Sequence, residues 1–299
     1  MTSRTSRLAT ILGASTAALL LVLTGCAGGA ASGEDSSRLV LGADDGTEAH
    51  WTVLKQKLAD EGIDLEVRTI NDGVQLNQGV QDGELDGNLF QHLIYLSQFN
   101  VENSGTLVPV GATAVYPLAL YSEQYTDVKD LPEGAKVAIP NNPTNLARGL
   151  LNLQTAGLLT LKDGGNALST PADIVSSKVE LLPVDTNQTV TALKDGSAQA
   201  AIVNNTQAQK GGLGDELIIF KEDLNNPQLA PYINAFVTRD DKKDDPRWAK
   251  VVAAYHSTEV ETAVTELNQG NLQFKADWTG AQLQDELTSL EDALKAQKG

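Results

Sequence analysis

The chain has 299 residues, of which 41% are hydrophobic and 20% charged; this length predicts about two domains, and this polarity argues against a protein with several membrane spans. Its 39 acidic residues against 22 lysines and arginines give a net charge of −17, which repels phosphate backbones and disfavours nucleic-acid binding. A single cysteine excludes an intramolecular disulfide, and three histidines far apart in the sequence argue against a zinc site.

The first 25 residues are typical of an export signal. Arg4 and Arg7 precede an uncharged stretch at 8–23. This stretch is shorter than the roughly 20 residues that a membrane-spanning helix needs, but it suits the core of a signal peptide. We therefore expect residues 1–25 to be a signal peptide that is removed from the mature protein.

The single cysteine lies where this signal ends. Leu23-Thr24-Gly25-Cys26 looks like a bacterial lipobox, in which the cysteine thiol receives a diacylglyceryl group. A buried cysteine that packs as a hydrophobic side chain is the alternative. Residues 26–37 are rich in glycine, alanine and serine and predict a flexible, lipid-anchored linker. Because two acyl chains anchor a protein stably, we expect a lipoprotein held on the extracytoplasmic face of the cell membrane.

Beyond the linker, short apolar runs alternate with helical patterns. The runs that predict strands are 39–42, 65–70, 107–110, 136–139, 179–182, 200–203 and 217–220. The spacing of apolar residues predicts helices at 48–59, 146–159 and 190–193, and a mostly helical chain after Asp240. Alternating strands and helices are typical of parallel sheets covered by helices on both faces. In such sheets, ligands bind beyond the carboxyl ends of the strands.

Two long extended segments, 112–122 and 232–240, contain aromatic residues and lie far apart in the sequence. They fit either edge strands or a pair of crossovers between two lobes. In the second case, residues 38–113 and 238–299 form lobe 1 and residues 114–237 form lobe 2. The fold class is then α/β, with two lobes that are each a sheet flanked by helices, and with two crossover strands.

Motifs of the common enzyme classes are absent from the sequence. The chain has no G-x-x-x-x-G-K-[ST] nucleotide loop, no G-x-S-x-G nucleophile elbow and no H-E-x-x-H zinc motif. The chain has many carboxylates, but no nearby histidine or cysteine marks any of them as half of a catalytic pair. We therefore expect a protein that is not an enzyme and that uses no cofactor.

One constellation points to a ligand. Residues 140–148, Pro-Asn-Asn-Pro-Thr-Asn-Leu-Ala-Arg, follow a predicted strand and open a predicted helix. Asn142 suits the N-cap and Pro143 the first helical position, and free N–H groups at a helix start attract anions. Arg148 shares a helix face with Asn145, and a guanidinium there can hold a carboxylate through two hydrogen bonds. An ordinary surface ion pair is the alternative, but the cap and the amide favour a carboxylate ligand.

Further candidate residues lie in or near the extended segments and strand ends. In Asn-Leu-Phe-Gln-His-Leu-Ile-Tyr at 88–95, His92 and Tyr95 share a helix face, and Phe90 precedes them. When each of these three residues is considered alone, a place in the protein core explains it better than ligand binding does. The other candidates are Tyr116 and Asn234, inside the two extended segments, and Asn204, at the end of a predicted strand.

Together these segments resemble the NlpA family of lipoproteins, the substrate-binding subunits of bacterial methionine ABC importers. The resemblance covers about residues 38–270 and rests on motifs that occur in the same order. These motifs are Cys26, Asn88-Leu89-Phe90-Gln91-His92 with Tyr95, Val115-Tyr116-Pro117, Pro140 through Arg148, Ala201-Ile202-Val203-Asn204, Tyr232-Ile233-Asn234 and Val237-Thr238-Arg239. The resemblance implies two α/β lobes joined by two crossover strands, and a monomeric subunit that serves a separate permease and a separate ATPase.

The resemblance also implies which residues bind methionine. Those implied for its carboxylate and the rest of its head group are Arg148, Asn145, Asn204 and Asn234. Tyr116 and His92 would close the polar end, and Phe90 and Tyr95 would form a wall around the side chain. An aromatic wall suits a thioether, because contacts between sulfur and aromatic rings contribute about 0.3–1.5 kcal/mol. No carboxylate matches the ammonium group, so neutral acceptors would bind it.

The chain departs from the family pattern at several points. Residues 42–47, Gly-Ala-Asp-Asp-Gly-Thr, replace a more apolar turn, Ala112 and Ala114 are small, and the tail beyond Gly270 is longer. A reshaped pocket leaves open another apolar amino acid, D-methionine or a methionine-containing dipeptide. From another class, a lipid-anchored hydrolase would need a nucleophile–base pair. The function that we expect is capture of methionine between two lobes and its delivery to a membrane importer.

Overall fold

A computed structural model describes residues 37–298. The signal peptide, Cys26 and the linker as far as Ser36 lie outside the described residues. The strands are β1 Arg38–Ala43, β2 Asp64–Thr69, β3 Gly87–Asn88, β4 Leu107–Ala112, β5 Ala114–Val115, β6 Ala119–Tyr121, β7 Ala135–Pro140, β8 Leu159–Leu161, β9 Ile174–Ser177, β10 Val179–Val184, β11 Ala200–Val203, β12 Ile218–Phe220, β13 Ala235–Arg239 and β14 Gln273–Phe274. The α-helices are α1 Ala49–Asp60, α2 Gly73–Gln81, α3 Leu93–Asn103, α4 Pro143–Thr155, α5 Thr189–Lys194, α6 Asn205–Lys210, α7 Arg247–Tyr255, α8 Thr258–Leu267 and α9 Gly280–Lys298.

Five strands form the first sheet, in the order β2-β1-β3-β13-β4. β1 pairs in parallel with β2 and β3, whereas β13 pairs antiparallel with β3 and β4. On one face of β1, Leu39 belongs to a core cluster with Trp51 of α1, and on the other face Val40 belongs to a cluster with Leu76 of α2. Successive residues of a strand point to opposite faces, so the continuous apolar run of β1 reflects helices on both sides of the sheet.

Five strands also form the second sheet, in the order β10-β7-β11-β6-β12. β7 pairs in parallel with β10 and β11, and β6 pairs antiparallel with β11 and β12. Ile139 of β7 packs in a cluster with Leu150 of α4, while the preceding Ala138 packs in a cluster with Val190 of α5. This sheet is therefore also covered on both faces, as the alternating pattern predicts.

The chain passes between the two sheets twice. It leaves the first sheet after Ala112 and enters the second at Ala119, and it is back in the first sheet at Ala235. β6 and β13 each lie between two other strands of their sheets, whereas β5, inside the first extended segment, pairs only with β14 in a two-stranded sheet. The crossover interpretation fits this topology. The bounds of the lobes stay a prediction, namely 38–113 with 238–299 and 114–237.

Two predicted elements have different bounds in the structure. The helix predicted at 146–159 ends at Thr155, because Gly157 adopts a left-handed conformation with a φ of 75° and the chain turns into β8. The segment predicted to be extended from residue 232 begins with the last residue of a 3-10 helix, Pro227–Tyr232. The side chain of Asn226 caps that helix by accepting a hydrogen bond from the backbone N–H of Gln228.

The C-terminal helix α9 docks on the first sheet. Leu283, Leu287 and Leu294 are buried, and α9 packs against α3 and β4. Asn100 Nδ2 of α3 donates a 2.8 Å hydrogen bond to Glu291 Oε1 of α9. The long tail is thus part of the packed fold. Within residues 37–298, no helix is long and apolar enough to cross a membrane.

Candidate functional site

A cavity of about 610 Å³ lies at the carboxyl ends of β1, β3, β7 and β11. Residues from both sheets and from the crossovers line it. All eight residues predicted to bind a ligand are among them: Arg148, Asn145, Asn204, Asn234, Tyr116, His92, Phe90 and Tyr95. The structure thus places the eight residues around one space, and their roles toward a ligand stay predictions.

A buried network of amide side chains supports the segment that carries Phe90 and His92. Asn77 Nδ2 donates to Gln91 Oε1, Asn88 Nδ2 donates to Asn77 Oδ1, and Gln91 Nε2 donates to Asn88 Oδ1, each over 2.9 Å. All three amide side chains are buried. A satisfied buried network of this kind rigidifies the chain around it. It therefore fixes the position of the segment that carries Phe90 and His92 in the cavity wall.

His92 is held as a neutral imidazole. It is the N-cap of α3 rather than a residue of the helix, and its Nδ1 accepts a hydrogen bond from the backbone N–H of Tyr95. Its Nε2 lies 3.2 Å from Asn145 Oδ1, a contact in which Nε2–H donates. Burial, helped by the positive charge of Arg148, lowers the pKa of His92 to about 4. His92 therefore contributes a hydrogen-bond donor rather than a charge at neutral pH.

Asn142 and Asn145, at the start of α4, line the cavity. Asn142 is the N-cap and Pro143 the first helical residue, as predicted, but the Asn142 side chain makes no capping hydrogen bond. Its Oδ1 and the Thr144 Oγ1 are buried without a partner among residues 37–298. The N–H groups of the first turn are thus not occupied by the cap, and a helix start in this state attracts anions.

Arg148 is buried in α4 and held on three sides. Its Nε donates to Glu222 Oε1 over 2.9 Å, and its Nη2 donates both to Glu222 Oε2 and, over 2.8 Å, to the backbone carbonyl of Tyr116. The ring of Tyr232 lies against the guanidinium, 4.3 Å from ring centroid to Cζ. Both side chains of the ion pair are less than a tenth exposed, and Leu118 N–H also donates to Glu222, over 3.0 Å.

This environment changes how Arg148 can bind a carboxylate. Glu222 takes the edge formed by Nε and Nη2, and the Tyr116 carbonyl takes the second hydrogen of Nη2. The sequence suggests that two guanidinium nitrogens hold the carboxylate of a ligand. In the structure, Nε and Nη2 already hold the carboxylate of Glu222 in this way. Of the three guanidinium nitrogens, only Nη1 has no hydrogen-bond partner among the described residues.

The aromatic wall depends on a glycine that the sequence analysis did not single out. The rings of Phe90 and Tyr95 meet edge to face, with centroids 5.7 Å apart. A Cβ on Gly73 would lie 2.5 Å from Tyr95 Oη and 2.8 Å from Phe90 Cε2. Gly73, at the start of α2, therefore lets both rings reach the cavity wall.

The remaining predicted residues serve partly structural roles. Asn204 is the N-cap of α6, where its Oδ1 accepts from the Gln207 N–H over 2.8 Å. Asn234 forms an isolated backbone bridge with His92. Burial raises the pKa of Tyr116 to about 12, although a hydrogen bond with Tyr255 opposes the shift. Tyr116 therefore stays protonated and is able to donate.

The family model of the NlpA lipoproteins matches residues 39–275. The chain belongs to the NlpA lipoprotein family. A curated relative, the D-methionine-binding lipoprotein MetQ of Salmonella typhi, is 38% identical over 255 residues, which cover 84% of this chain and 92% of the relative. The match to the family model includes both sheets and the cavity, and it ends before α9.

Solved structures of similar proteins have the same two-lobe fold. The substrate-binding protein of a methionine transporter from Streptococcus pneumoniae is 32% identical, with a TM-score of 0.73 over 80% of this chain and 96% of that one. A nutrient-binding protein from Burkholderia cenocepacia, solved with bound methionine, is also 32% identical, with a TM-score of 0.73 over 79% of this chain and 99% of that one. The expected NlpA family and fold class are confirmed.

This NlpA-family chain also has carboxylates in the cavity that the sequence analysis did not assign to the site. Asp44 and Asp45, which follow β1, both line it. Burial, together with the charge of Asp45, raises the pKa of Asp44 to about 7. The acidic turn that departs from the family pattern therefore lies at the site rather than on a remote surface.

Removal of the Glu222 charge tests how strongly the cleft depends on the ion pair. We expect Glu222→Ala to lower the free energy of unfolding by about 3–5 kcal/mol, because Arg148 would remain buried without its counter-charge. Glu222→Gln should recover part of this loss, since its amide oxygen can still accept from the guanidinium. Urea denaturation of the ligand-free protein measures both changes.

Glu259→Gln is the control, because it removes an exposed partner of Lys57, and exposed pairs contribute little. If Glu222→Ala and Glu259→Gln changed the stability equally, the pair with Arg148 would not be a structural requirement.

Proposed function

We propose that this chain is an extracytoplasmic binding protein, not an enzyme, that captures methionine in the cavity and delivers it to an ABC importer. The permease and the ATPase of that importer are separate chains, and the binding protein is a monomer until it docks. One observation carries the proposal: the eight residues implied by family resemblance come from distant parts of the sequence and line one cavity. The names of the relatives and the bound methionine of a solved neighbour support the same ligand.

The polar end of the cavity suits the carboxylate of an amino acid. Arg148 offers Nη1, and the start of α4 offers free backbone N–H groups, so both attract negative charge in the same place. Asn145 and the neutral His92 meet at this end. The edge-to-face rings of Phe90 and Tyr95 then provide an apolar wall for the thioether side chain.

Hinged closure explains how such a cavity loads and unloads. Hydrogen bonds cross the cleft between the two sheets, including Lys210 Nζ to the backbone carbonyl of Asp44 over 2.9 Å and Asn205 to Asn268. A ligand that touches both sides adds its own contacts to the closed state, and it favours that state by its difference in affinity. The two crossovers are the segments about which the sides would move.

Ligand binding gives the direct test. The protein is unfolded, dialysed and refolded to remove bound ligand, and its melting temperature is then measured with L-methionine, D-methionine, leucine and glutamate. A hundredfold excess over Kd stabilises the folded state by about 2.7 kcal/mol, so we expect methionine to raise the melting temperature by several degrees. A larger response to one enantiomer identifies the stereochemistry, and a response only to another amino acid contradicts the proposal.

Arg148 is the residue whose loss should abolish binding. Loss of a buried charged partner costs about 2–5 kcal/mol, which is roughly 30- to several-thousand-fold in Kd. Because Arg148→Ala would leave Glu222 buried and unpaired, the clean variant is Arg148→Met with Glu222→Leu, which removes the pair together. Calorimetric titration should show almost no methionine binding by the double variant and normal binding by Arg239→Ala, whose guanidinium bonds to Asp241 at the surface. Normal binding by the double variant would refute the placement of the site.

We further propose that Cys26 carries the lipid that holds the protein at the outer face of the cell membrane. The support is the lipobox at residues 23–26 and membership of a lipoprotein family. Cys26→Ser should move the protein from the membrane fraction to the soluble fraction, or leave it unprocessed. Methionine affinity of the mature domain should not change, since Cys26 precedes the folded region. Equal acylation and membrane retention of the serine variant would contradict the proposal.

A further inference from the structure

The end of the cavity formed by the turn after β1 is acidic. Asp44 and Asp45 stand next to each other at the carboxyl end of β1, and His50 follows on the first turn of α1. All three line the same cavity as Arg148. The cavity therefore carries a cationic group from one side and adjacent carboxylates from the other.

These carboxylates are poorly compensated within the protein. Asp45 Oδ1 accepts one hydrogen bond from Trp51 Nε1, over 2.9 Å. No side chain among residues 37–298 donates to the Asp44 carboxylate. The nearby ammonium of Lys210 donates instead to the Asp44 backbone carbonyl and to Asn71 Oδ1. The raised pKa of Asp44 agrees with a carboxylate that is desolvated beside a second negative charge.

His50 gives an independent indication of a missing partner. Its side chain is only 5% exposed, and its Nδ1 has no hydrogen-bond partner among the described residues. Its Nε2 lies 3.7 Å from Asp45 Oδ2, and burial lowers its pKa, so the ring is neutral at pH 7. With the proton on Nε2, facing Asp45, Nδ1 presents a lone pair. A buried polar atom without a partner costs free energy unless a ligand or water satisfies it.

We propose that Asp44, Asp45 and His50 form a subsite for the ammonium group of the ligand. The inference rests on the proposed function, because it assumes an amino-acid ligand whose carboxylate lies at Arg148. A primary ammonium is a compact, donor-only cation with three N–H groups, and this end of the cavity offers two carboxylates and a lone pair. Within residues 37–298, no three histidine, cysteine or acidic side chains are placed to hold a metal ion, which favours an organic cation.

The polarity of the cavity matches that of a zwitterion. Tyr116 separates its two ends: its backbone carbonyl bonds to Arg148, while its hydroxyl lies close enough to Asp44 and Asp45 for their charges to act on it. Two chemical sources supply an ammonium of this kind. It is either the α-ammonium of methionine, or the N-terminal ammonium of a methionine-containing dipeptide, whose charges lie farther apart.

Three probes in titration calorimetry with refolded protein test the subsite and separate these sources. They are L-methionine, 4-methylthiobutanoate, which is methionine without its amino group, and glycyl-methionine. The variants are Asp44→Asn and Asp45→Asn, which preserve shape and remove charge. Asp60→Asn is the matched control, because Asp60 is an exposed carboxylate at the end of α1 that does not line the cavity.

We expect Asp44→Asn or Asp45→Asn to weaken methionine binding by about tenfold or more, as loss of a charge-assisted hydrogen bond does, and to leave affinity for 4-methylthiobutanoate unchanged. If the loss instead affects glycyl-methionine alone, the subsite binds the remote ammonium. Asp60→Asn should leave the affinity for all three probes unchanged. Wild-type affinity for methionine and glycyl-methionine in both variants would overturn the subsite while leaving the proposed function intact. Failure of the wild type to bind any probe would overturn the proposed function and the subsite together.

Discussion

The ligand cleft depends on one buried ion pair, Arg148 with Glu222. Glu222 joins three segments, because it accepts hydrogen bonds from α4 through Arg148 and from the first crossover through Leu118, while it lies just after β12. Burial of two charges is costly, and the mutual attraction repays that cost only when the remaining hydrogen bonds are satisfied. Here the Tyr116 carbonyl and the Tyr232 ring complete the environment of the guanidinium. These contacts fix the orientation of the guanidinium and leave Nη1 as its one nitrogen without a partner among the described residues.

Other polar side chains of the cleft carry no charge at neutral pH. His92 is neutral because burial and Arg148 lower its pKa. The Tyr116 hydroxyl is neutral at pH 7, and burial raises its pKa further. The charged side chains that line the cavity are Arg148, the adjacent Asp44 and Asp45, and Asp72 and Asp185. A cavity with donors at one end, acceptors at the other and aromatic rings along the wall is suited to a small zwitterion with an apolar side chain.

Much of this arrangement could be predicted from the sequence. The cap at Asn142 and Pro143, the strand before it and the strand before Asn204 place polar groups at strand ends, and parallel sheets bring such ends together. The predicted end of helix α4 at residue 159 was wrong, because the helix ends at Thr155. Apolar residues continue past Gly157 into β8, and the spacing of apolar residues alone does not show where the helix stops and the strand begins. Core packing and ligand binding could not be distinguished for Phe90 and Tyr95 by pattern, since both require apolar surface at the same positions.

The acidic residues of the cleft were beyond the reach of sequence patterns. The chain has 39 carboxylates, and nothing local marks Glu222 as the partner of an arginine 74 residues earlier. That pairing is a property of the tertiary fold. The turn at Asp44 and Asp45 was noticed as a departure from the family pattern, but only the structure shows that it lines the cavity.

The central claim is that the cleft holds methionine through Arg148, and the ligand that the protein carries from the cell tests it most directly. Protein purified without unfolding is denatured, and the released small molecules are identified by mass spectrometry and chiral chromatography. The account predicts about one methionine per wild-type chain, and almost none in the variant with Arg148→Met and Glu222→Leu. A different compound, or equal methionine in both proteins, would contradict it.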